Sequence, residues 1–165
     1  METLIVTGAA GSIGTRVCKT LADTDGVATV LAIDTRPEMP NHRRVYHHQL
    51  DLQIDELKPV FEGATTLIHL ATSFGPSSDG MDAGGAEIDA TRRVFDAASA
   101  VGIKKVVVLS SAMVYGAWSA NEIPIIENTP INPNPDFSFA SVKTEIESIA
   151  TEWKTKHPNS EVVIL

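Results

Sequence analysis

The chain has 165 residues, enough for one domain with a sizeable core, and its 43% hydrophobic and 21% charged residues are ordinary for a globular protein. The formal net charge of −8 argues against a nucleic-acid partner and against an anionic membrane surface, because both need a basic face. The single cysteine, Cys18, excludes an internal disulfide framework. No apolar run is long enough to span a membrane and no signal-peptide pattern precedes the first strand, so we expect a cytoplasmic protein.

Short β-branched runs alternate with longer amphipathic segments along the chain, a pattern typical of βαβ units and a parallel sheet. Strands are predicted at Thr3–Thr7, Ala28–Ile33, Val45–Leu50, Thr66–Leu70, Lys105–Leu109 and Glu161–Leu165. Helices are predicted at Ser12–Ala22, Asp55–Phe61, about Ala83–Val101 and about Ser138–Lys156. The fourth and fifth strands are almost entirely apolar, as expected for strands that are covered on both faces. The sequence therefore predicts one Rossmann-type α/β domain, residues 1–165, with a doubly wound parallel sheet as the middle of three α/β/α layers.

Two long irregular segments, Thr72–Asp82 and Ala112–Phe137, follow the fourth and fifth predicted strands. Both leave the carboxyl ends of strands, where open parallel sheets bind ligands, and loops of this length are commonly functional. The chain ends in an apolar run, Val162–Leu165, that predicts the sixth strand. We therefore expect a domain excised from a longer protein, with a substrate-binding C-terminal part that is absent from this sequence.

Three glycines lie between the first strand and the first helix, in the segment Thr7-Gly8-Ala9-Ala10-Gly11-Ser12-Ile13-Gly14. Gly8 permits a tight turn, Gly11 lets the backbone approach a pyrophosphate, and Gly14 allows the helix to pack closely on the strand. The amino terminus of the helix, at Ser12 and Ile13, supplies N–H donors and the positive end of the helix dipole. Because this pattern lies in the required strand–turn–helix context, we expect a nicotinamide dinucleotide on this loop.

Asp34 ends the second predicted strand and favours NAD over NADP as that dinucleotide. Its carboxylate can accept hydrogen bonds from the adenosine ribose hydroxyls and would repel a 2′-phosphate. Arg36, which follows closely, weakens the preference because a guanidinium group can bind the phosphate. We therefore expect NAD, with NADP as the alternative.

The glycine spacing Thr-Gly-x-x-Gly-x-x-Gly resembles that of the short-chain dehydrogenase/reductase family, specifically its extended branch of sugar-nucleotide epimerases, dehydratases and related reductases. Further segments agree: Asp51-Leu52, His69-Leu70-Ala71, and Ser110-Ser111-Ala112-Met113-Val114-Tyr115-Gly116 at the end of the fifth strand. The helix that carries Lys143 follows at the expected distance. The resemblance therefore covers essentially the whole chain.

The resemblance implies cofactor contacts for residues that composition and spacing do not assign. Asp51 and Leu52 would meet the adenine, whereas Leu70, Ala71 and Thr72 would line the ribose side of the cofactor. It also implies a homodimer that forms through the helices at about Ala83–Val101 and Ser138–Lys156.

The resemblance also implies a catalytic group. Ser111 would hydrogen-bond the substrate oxygen that is oxidised or reduced. Lys143 would hold the nicotinamide ribose and lower the pKa of a catalytic tyrosine. His69 we expect to be a buried, hydrogen-bonded imidazole rather than a base. In the helix before the strand that leads to Ser111, Asp89 takes a position where the family commonly has an asparagine.

The chain departs from the family at the catalytic tyrosine, which the pattern Tyr-x-x-x-Lys places four residues before the lysine. Here that position is Phe139, in Phe139-Ala140-Ser141-Val142-Lys143. Phenylalanine keeps the ring but cannot donate or accept a proton, and general acid–base catalysis is typically worth about 10²–10⁴-fold. Without a substitute, the protein is expected to be a poor dehydrogenase.

Three functions remain open from the sequence. The first is an NAD-dependent oxidoreductase, epimerase or dehydratase, acting on a small or nucleotide-sugar-like hydroxyl or carbonyl substrate. Its acid–base group would then come from Tyr115, from another residue on the Ala112–Phe137 loop, from a missing segment or from a bound water. The second is a non-catalytic NAD-binding regulator or scaffold, and the third is an inactivated enzyme. The retention of Ser111 and Lys143 favours the first, and no pattern of residues predicts a metal site.

Overall fold

In a computed structural model of the protein, residues 1–37, 41–72 and 83–165 are described. The strands are β1 (Glu2–Thr7), β2 (Val27–Asp34), β3 (Val45–Gln49), β4 (Thr66–His69), β5 (Lys105–Val108) and β6 (Glu161–Ile164). The helices are α1 (Ser12–Asp23), α2 (Lys58–Phe61), α3 (Ala83–Val101) and α4 (Ser138–Lys156), with a short 3₁₀ helix at Ala112–Tyr115.

The six strands form one sheet in the order β3-β2-β1-β4-β5-β6. Every neighbouring pair is parallel. The strand order reverses between β1 and β4, and the carboxyl ends of strands flank a crevice at such a switch point. This architecture confirms the predicted doubly wound Rossmann-type sheet.

Helices cover the sheet on both faces, which completes the three predicted layers. On one face, Cys18 and Ala22 of α1 pack against a cluster that includes Val6 and Val30. On the other face, α2, α3 and α4 surround a larger core that includes Phe61, Val94, Trp153 and Ile5. Alternate residues of β1 therefore belong to different cores, as the period of a strand requires.

The cysteine lies in the first of these cores. Cys18 is a fully buried free thiol, and burial raises its pKa to about 11. A thiol with a raised pKa carries little thiolate at neutral pH and is unreactive. Cys18 is therefore a packing residue.

Four predicted strands end one residue too late. The ladders stop before Leu50, Leu70, Leu109 and Leu165, although the amide of each still donates to the neighbouring strand. These amides extend the sheet by one hydrogen bond beyond the end of each ladder.

The second helix is shorter than the predicted Asp55–Phe61, because it begins at Lys58. The segment before it is a turn in which the amide of Asp55 donates to the Asp51 carbonyl. The guanidinium of Arg93, on α3, donates to the carbonyls of Leu52 and Asp55. A helix from Asp55 would place Pro59 in its second turn, where proline has no N–H for the Asp55 carbonyl, so the helix begins one residue before Pro59.

The two predicted ligand loops differ in how far the structure describes them. Of the segment Thr72–Asp82, only Thr72 lies within the described residues. The segment Ala112–Phe137 is irregular as predicted, except for the 3₁₀ helix at its start. In the part of the chain that the structure describes, no helix is long and apolar enough to cross a membrane.

Candidate functional site

A cleft of about 630 Å³ opens at the carboxyl ends of β1, β2 and β4, at the switch point of the sheet. The residues predicted to contact a dinucleotide, apart from Lys143, all line it: Gly8, Gly11, Ser12, Ile13, Gly14, Asp34, Arg36, Asp51, Leu52, Leu70, Ala71 and Thr72. The fold therefore brings four separate sequence segments to one place.

The glycine loop has the close approaches that the sequence predicted. Gly8 adopts φ +70°, a conformation that favours glycine, and a Cβ there would lie 2.7 Å from the Ala71 amide nitrogen. A Cβ on Gly14 would lie 2.1 Å from the carbonyl oxygen of Gly8, so α1 packs directly on the loop. At Gly11 the nearest atom to a Cβ would be the same oxygen, at 3.1 Å. Side chains on this loop would fill the space beside the backbone.

The amino terminus of α1 faces this cleft through Ser12 and Ile13. Its N-cap residue is Gly11, no side chain caps the helix, and no acidic residue lies in the first turn. The first-turn amides of a helix have no intrahelical acceptor, and together with the dipole they favour an anion. This end of the cleft fits a pyrophosphate.

Asp34, at the end of β2, connects the loop to Arg36. Its Oδ2 accepts from the Ala10 amide at 3.0 Å, and its Oδ1 accepts from the Arg36 amide at 3.1 Å. The guanidinium of Arg36 also donates to both oxygens, at 3.0 Å and 3.2 Å. Burial raises the pKa of the Asp34 carboxyl, but the hydrogen bonds from Arg36 and Ala10 outweigh it and hold the pKa below its usual value. Asp34 is therefore an ionised acceptor that lines the cleft at the end of β2.

These hydrogen bonds decide whether Arg36 weakens the preference for NAD over NADP. Its guanidinium is engaged by Asp34, although its side chain is 58% exposed. To bind a 2′-phosphate it would have to leave Asp34, and the carboxylate would still repel that phosphate. The geometry therefore supports the preference for NAD.

A second cleft, of about 520 Å³, adjoins the first and shares Ile13, Thr72 and Leu109 with it. Its lining brings together Ser111, Phe139 and Lys143, the three residues predicted to form the catalytic group. Ser111 is the N-cap of the 3₁₀ helix, and its hydroxyl accepts from the Met113 amide at 3.3 Å.

Phe139 and Lys143 lie one turn apart on α4 and face the same way. The Lys143 Nζ lies 5.5 Å from the centroid of the Phe139 ring. Tyr115 lines neither cleft. The second cleft thus has the phenyl ring of Phe139 at the position where the family pattern has a tyrosine.

Glu87, on α3, is a site residue that was not predicted from the sequence. Its carboxylate accepts from Lys143 Nζ at 2.8 Å, and the two side chains are only 5% and 2% exposed. Lys143 also donates to Thr72 Oγ1 at 2.9 Å and, more weakly, to the Leu109 carbonyl at 3.4 Å. An ammonium has three donors, so a ribose hydroxyl would have to replace one of these acceptors, and the Leu109 carbonyl is the weakest.

A signal for Glu87 was present in the sequence. The buried face of α3 carries five residues at helical spacing: Glu87, Ala90, Thr91, Val94 and Ala98. A charged residue on an apolar face needs a partner, because an unpaired buried charge is strongly destabilising. Asp89, which the resemblance had singled out, is exposed and lines neither cleft.

His69 lies beneath this ion pair and is 2% exposed. Its Nδ1 is 2.7 Å from Thr7 Oγ1, and its Nε2 is 3.0 Å from Thr91 Oγ1. Because the Thr91 hydroxyl donates its own proton to the Glu87 carbonyl, it accepts a hydrogen bond from Nε2 of His69. Burial, and then the charge of Lys143, lower the pKa of His69 to about 4. The expectation of a buried, hydrogen-bonded imidazole is confirmed.

Comparison with known proteins agrees with this site. Residues 4–165 match the family described as NAD dependent epimerase/dehydratase family. A similar solved structure is a UDP-N-acetylglucosamine 4-epimerase from Methanobrevibacter ruminantium in complex with UDP-N-acetylmuramic acid, with TM-score 0.83 and 24% identity over 98% of this chain and 53% of that one. A UDP-glucuronic acid 4-epimerase from Bacillus cereus in complex with NAD has TM-score 0.81 and 21% identity over 98% of this chain and 55% of that one.

A third similar structure is DesIV, a dTDP-glucose 4,6-dehydratase from Streptomyces venezuelae with NAD and TYD bound. Its TM-score is 0.80, with 21% identity over 98% of this chain and 54% of that one. The chain thus spans about half the length of the solved structures that it matches. None of the curated proteins matches it in sequence.

Proposed function

The chain belongs to the NAD dependent epimerase/dehydratase family, and from this premise we propose that it is the NAD-binding domain of an enzyme that oxidises or reduces a hydroxyl or carbonyl carbon. The observation that carries the proposal is the junction of the two clefts. The dinucleotide cleft opens directly into the one lined by Ser111, Phe139 and Lys143.

The residues present fit NAD. The uncapped amino terminus of α1 would hold the pyrophosphate beside Gly11, and Asp34 would accept hydrogen bonds from the adenosine ribose. Asp51 and Leu52 would meet the adenine at the far edge of the cleft. When bound, NAD supplies the two-electron redox exchange with the substrate carbon.

The substrate class comes from the similar proteins, whose names include epimerases and a dehydratase of UDP- and dTDP-sugars. We propose a small or nucleotide-sugar-like hydroxyl or carbonyl compound as the substrate. The second cleft has an apolar rim at Met113, Phe137 and Phe139, and the Ser111 hydroxyl lies among them. Ser111 would hydrogen-bond the reacting oxygen, and the apolar rim would exclude water around it.

Phe139 supports a second candidate function. A ring without a hydroxyl cannot exchange the proton that accompanies oxidation of an alcohol, so the domain would bind NAD without efficient turnover. The protein would then be a catalytically weak or inactive NAD-binding regulator or scaffold. Ser111 would be dispensable in such a protein, whereas Lys143 and the glycine loop would still serve binding.

Binding and turnover together test the two candidates. Calorimetric titration with NAD and NADP tests the cofactor site, and NADH absorbance against a panel of alcohols, ketones and nucleotide sugars tests the reaction. Wild type and Phe139→Tyr are compared, since the phenol would restore the missing hydroxyl. Turnover by the wild type supports the enzyme. A gain of roughly 10-fold to 10⁴-fold that appears only in Phe139→Tyr supports the weak or inactive protein. Absence of NAD binding would overturn both.

A further inference from the structure

The Thr72 hydroxyl lies where the two clefts meet, because Thr72 lines both of them. We propose that Thr72, with the Glu87 carboxylate behind it, forms the proton path that replaces the hydroxyl absent at Phe139. This inference rests on the proposed function, in that it requires a substrate with a hydroxyl or carbonyl group. It adds a proton-transfer role for two residues that neither the family pattern nor the glycine loop assigns.

The hydrogen bonds of the Thr72 hydroxyl leave a place for the substrate. Thr72 donates its single proton to Glu87 Oε1 at 3.0 Å, and it accepts from Lys143 Nζ at 2.9 Å. A hydroxyl oxygen has two lone pairs, and Lys143 uses one. Among the described residues, no other group donates to Thr72, which is only partly buried. Its second lone pair can therefore accept a hydrogen bond from a substrate hydroxyl in the adjoining cleft.

Glu87 is suited to receive the proton that Thr72 passes on. Its Oε1 already accepts a hydrogen bond from the Thr72 hydroxyl and forms the ion pair with Lys143. The pair is almost completely buried, so bulk water does not compete for the carboxylate. Thr72 lines the second cleft and Glu87 does not, so Glu87 would receive the substrate proton through Thr72.

The step balances in atoms and electrons. The substrate O–H bond breaks and its proton moves to Thr72 Oγ1, while the proton of Thr72 moves to Glu87 Oε1. The electron pair of the O–H bond becomes the second carbon–oxygen bond. The C–H bond breaks, and its hydrogen leaves with the electron pair to the oxidant, the nicotinamide dinucleotide of the proposed function. The products are a carbonyl compound, a protonated Glu87 and an unchanged Thr72, and reduction runs the same path in reverse.

Thr72→Val is the decisive variant, because valine keeps the shape of threonine and leaves the ion pair behind it in place. We expect kcat for alcohol oxidation to fall by roughly 10²–10⁴-fold. The NAD dissociation constant, measured by calorimetry, should change only a few-fold. The matched control is Thr144→Val on α4, whose hydroxyl donates to the Ala140 carbonyl and lines neither cleft, and it should keep wild-type turnover.

A double variant separates a proton path from a structural role. Phe139→Tyr added to Thr72→Val places a phenol beside Lys143 and should recover at least 10-fold of the lost kcat, of the order that one general acid supplies. Added to the wild type, the same change should gain little. Loss of turnover in Thr72→Val that the phenol does not rescue would mean that Thr72 only shapes the site.

Difference infrared spectroscopy on acidification supplies a readout without turnover. The carboxyl band of Glu87, identified by its absence in Glu87→Gln, should shift in Thr72→Val, because Thr72 donates to that carboxylate. Glu87→Gln breaks a buried ion pair and can unfold the protein. The band position is therefore compared between the wild type and Thr72→Val. A band that Thr72→Val leaves in place would contradict the Thr72–Glu87 connection.

The outcomes distinguish this inference from the proposed function. A protein that fails to bind NAD overturns the proposed function. Turnover that Thr72→Val does not lower overturns the proton path alone. A wild type that binds NAD but becomes active only as Phe139→Tyr also overturns the proton path. In that case the Thr72 hydroxyl does not replace the hydroxyl that is absent at Phe139. Binding of NAD with no turnover in either form overturns the redox reaction and the path together.

Discussion

Replacing Gly14 with alanine tests the contact between helix α1 and the glycine loop. Gly14 lies inside α1 and does not adopt a positive φ, so an alanine there meets no backbone strain. In an open helix the change would stabilise the protein by up to about 1 kcal/mol. Here the added Cβ would lie 2.1 Å from the Gly8 carbonyl oxygen and 2.8 Å from the Ala9 Cα. Because both atoms belong to backbone, a side-chain rotation cannot relieve the clash.

Overpacking of this kind typically destabilises by about 1–3 kcal/mol, and sometimes by more. For a domain of this size, each kcal/mol lowers Tm by about 2–4 °C, so we expect a fall of roughly 2–12 °C. Thermal unfolding followed by circular dichroism measures it. The control is Gly11→Ala in the same loop, where the nearest atom to the Cβ is 3.1 Å away, and Tm should fall by less. A Gly14→Ala protein as stable as the wild type would refute the close packing.

Four further predictions follow from the site and the fold. Calorimetry should show tighter binding of NAD than of NADP, with the ratio reduced in Asp34→Ala, and equal affinities in the wild type would implicate Arg36 instead. Gly11→Val should abolish NAD binding while circular dichroism shows the fold retained, so normal binding by a folded variant would show that the loop is misassigned. The free energy of unfolding should fall as pH drops from about 6.5 to about 4, because the unfolded state protonates His69 in that range and the folded state, whose His69 pKa is lowered to about 4, does not. Urea unfolding of wild type and His69→Asn measures this, and equal pH slopes in the two proteins would contradict it. Light scattering should show a homodimer joined through α3 and α4, and a monomer at high protein concentration would remove that prediction.

Much of the cofactor cleft was predictable because its signals are local in the chain. The glycine loop must follow a strand and begin a helix, and Asp34 must end the next strand, so spacing alone indicates both. The one-turn separation of Phe139 and Lys143 is likewise a property of a helix, whatever it packs against. The alternation of strands and helices predicted the layers for the same reason.

The start of α2 is decided locally, by Pro59, which lies in the first turn of the helix, where its missing N–H costs no hydrogen bond. A helix that began at Asp55 would place Pro59 in its second turn, where the Asp55 carbonyl would meet a residue without an N–H. The carbonyls of Leu52 and Asp55 accept from Arg93 of α3 instead.

The sequence by itself determined the sheet type, the glycine loop between β1 and α1, the acidic residue that ends β2 and the absence of a phenol at Phe139. Only the tertiary structure decided that Glu87 and Lys143, which are 56 residues apart, form a buried ion pair joined to Thr72. The physical reason is that a buried charge must find its partner in space, and the order of strands and helices, rather than spacing along the chain, selects that partner.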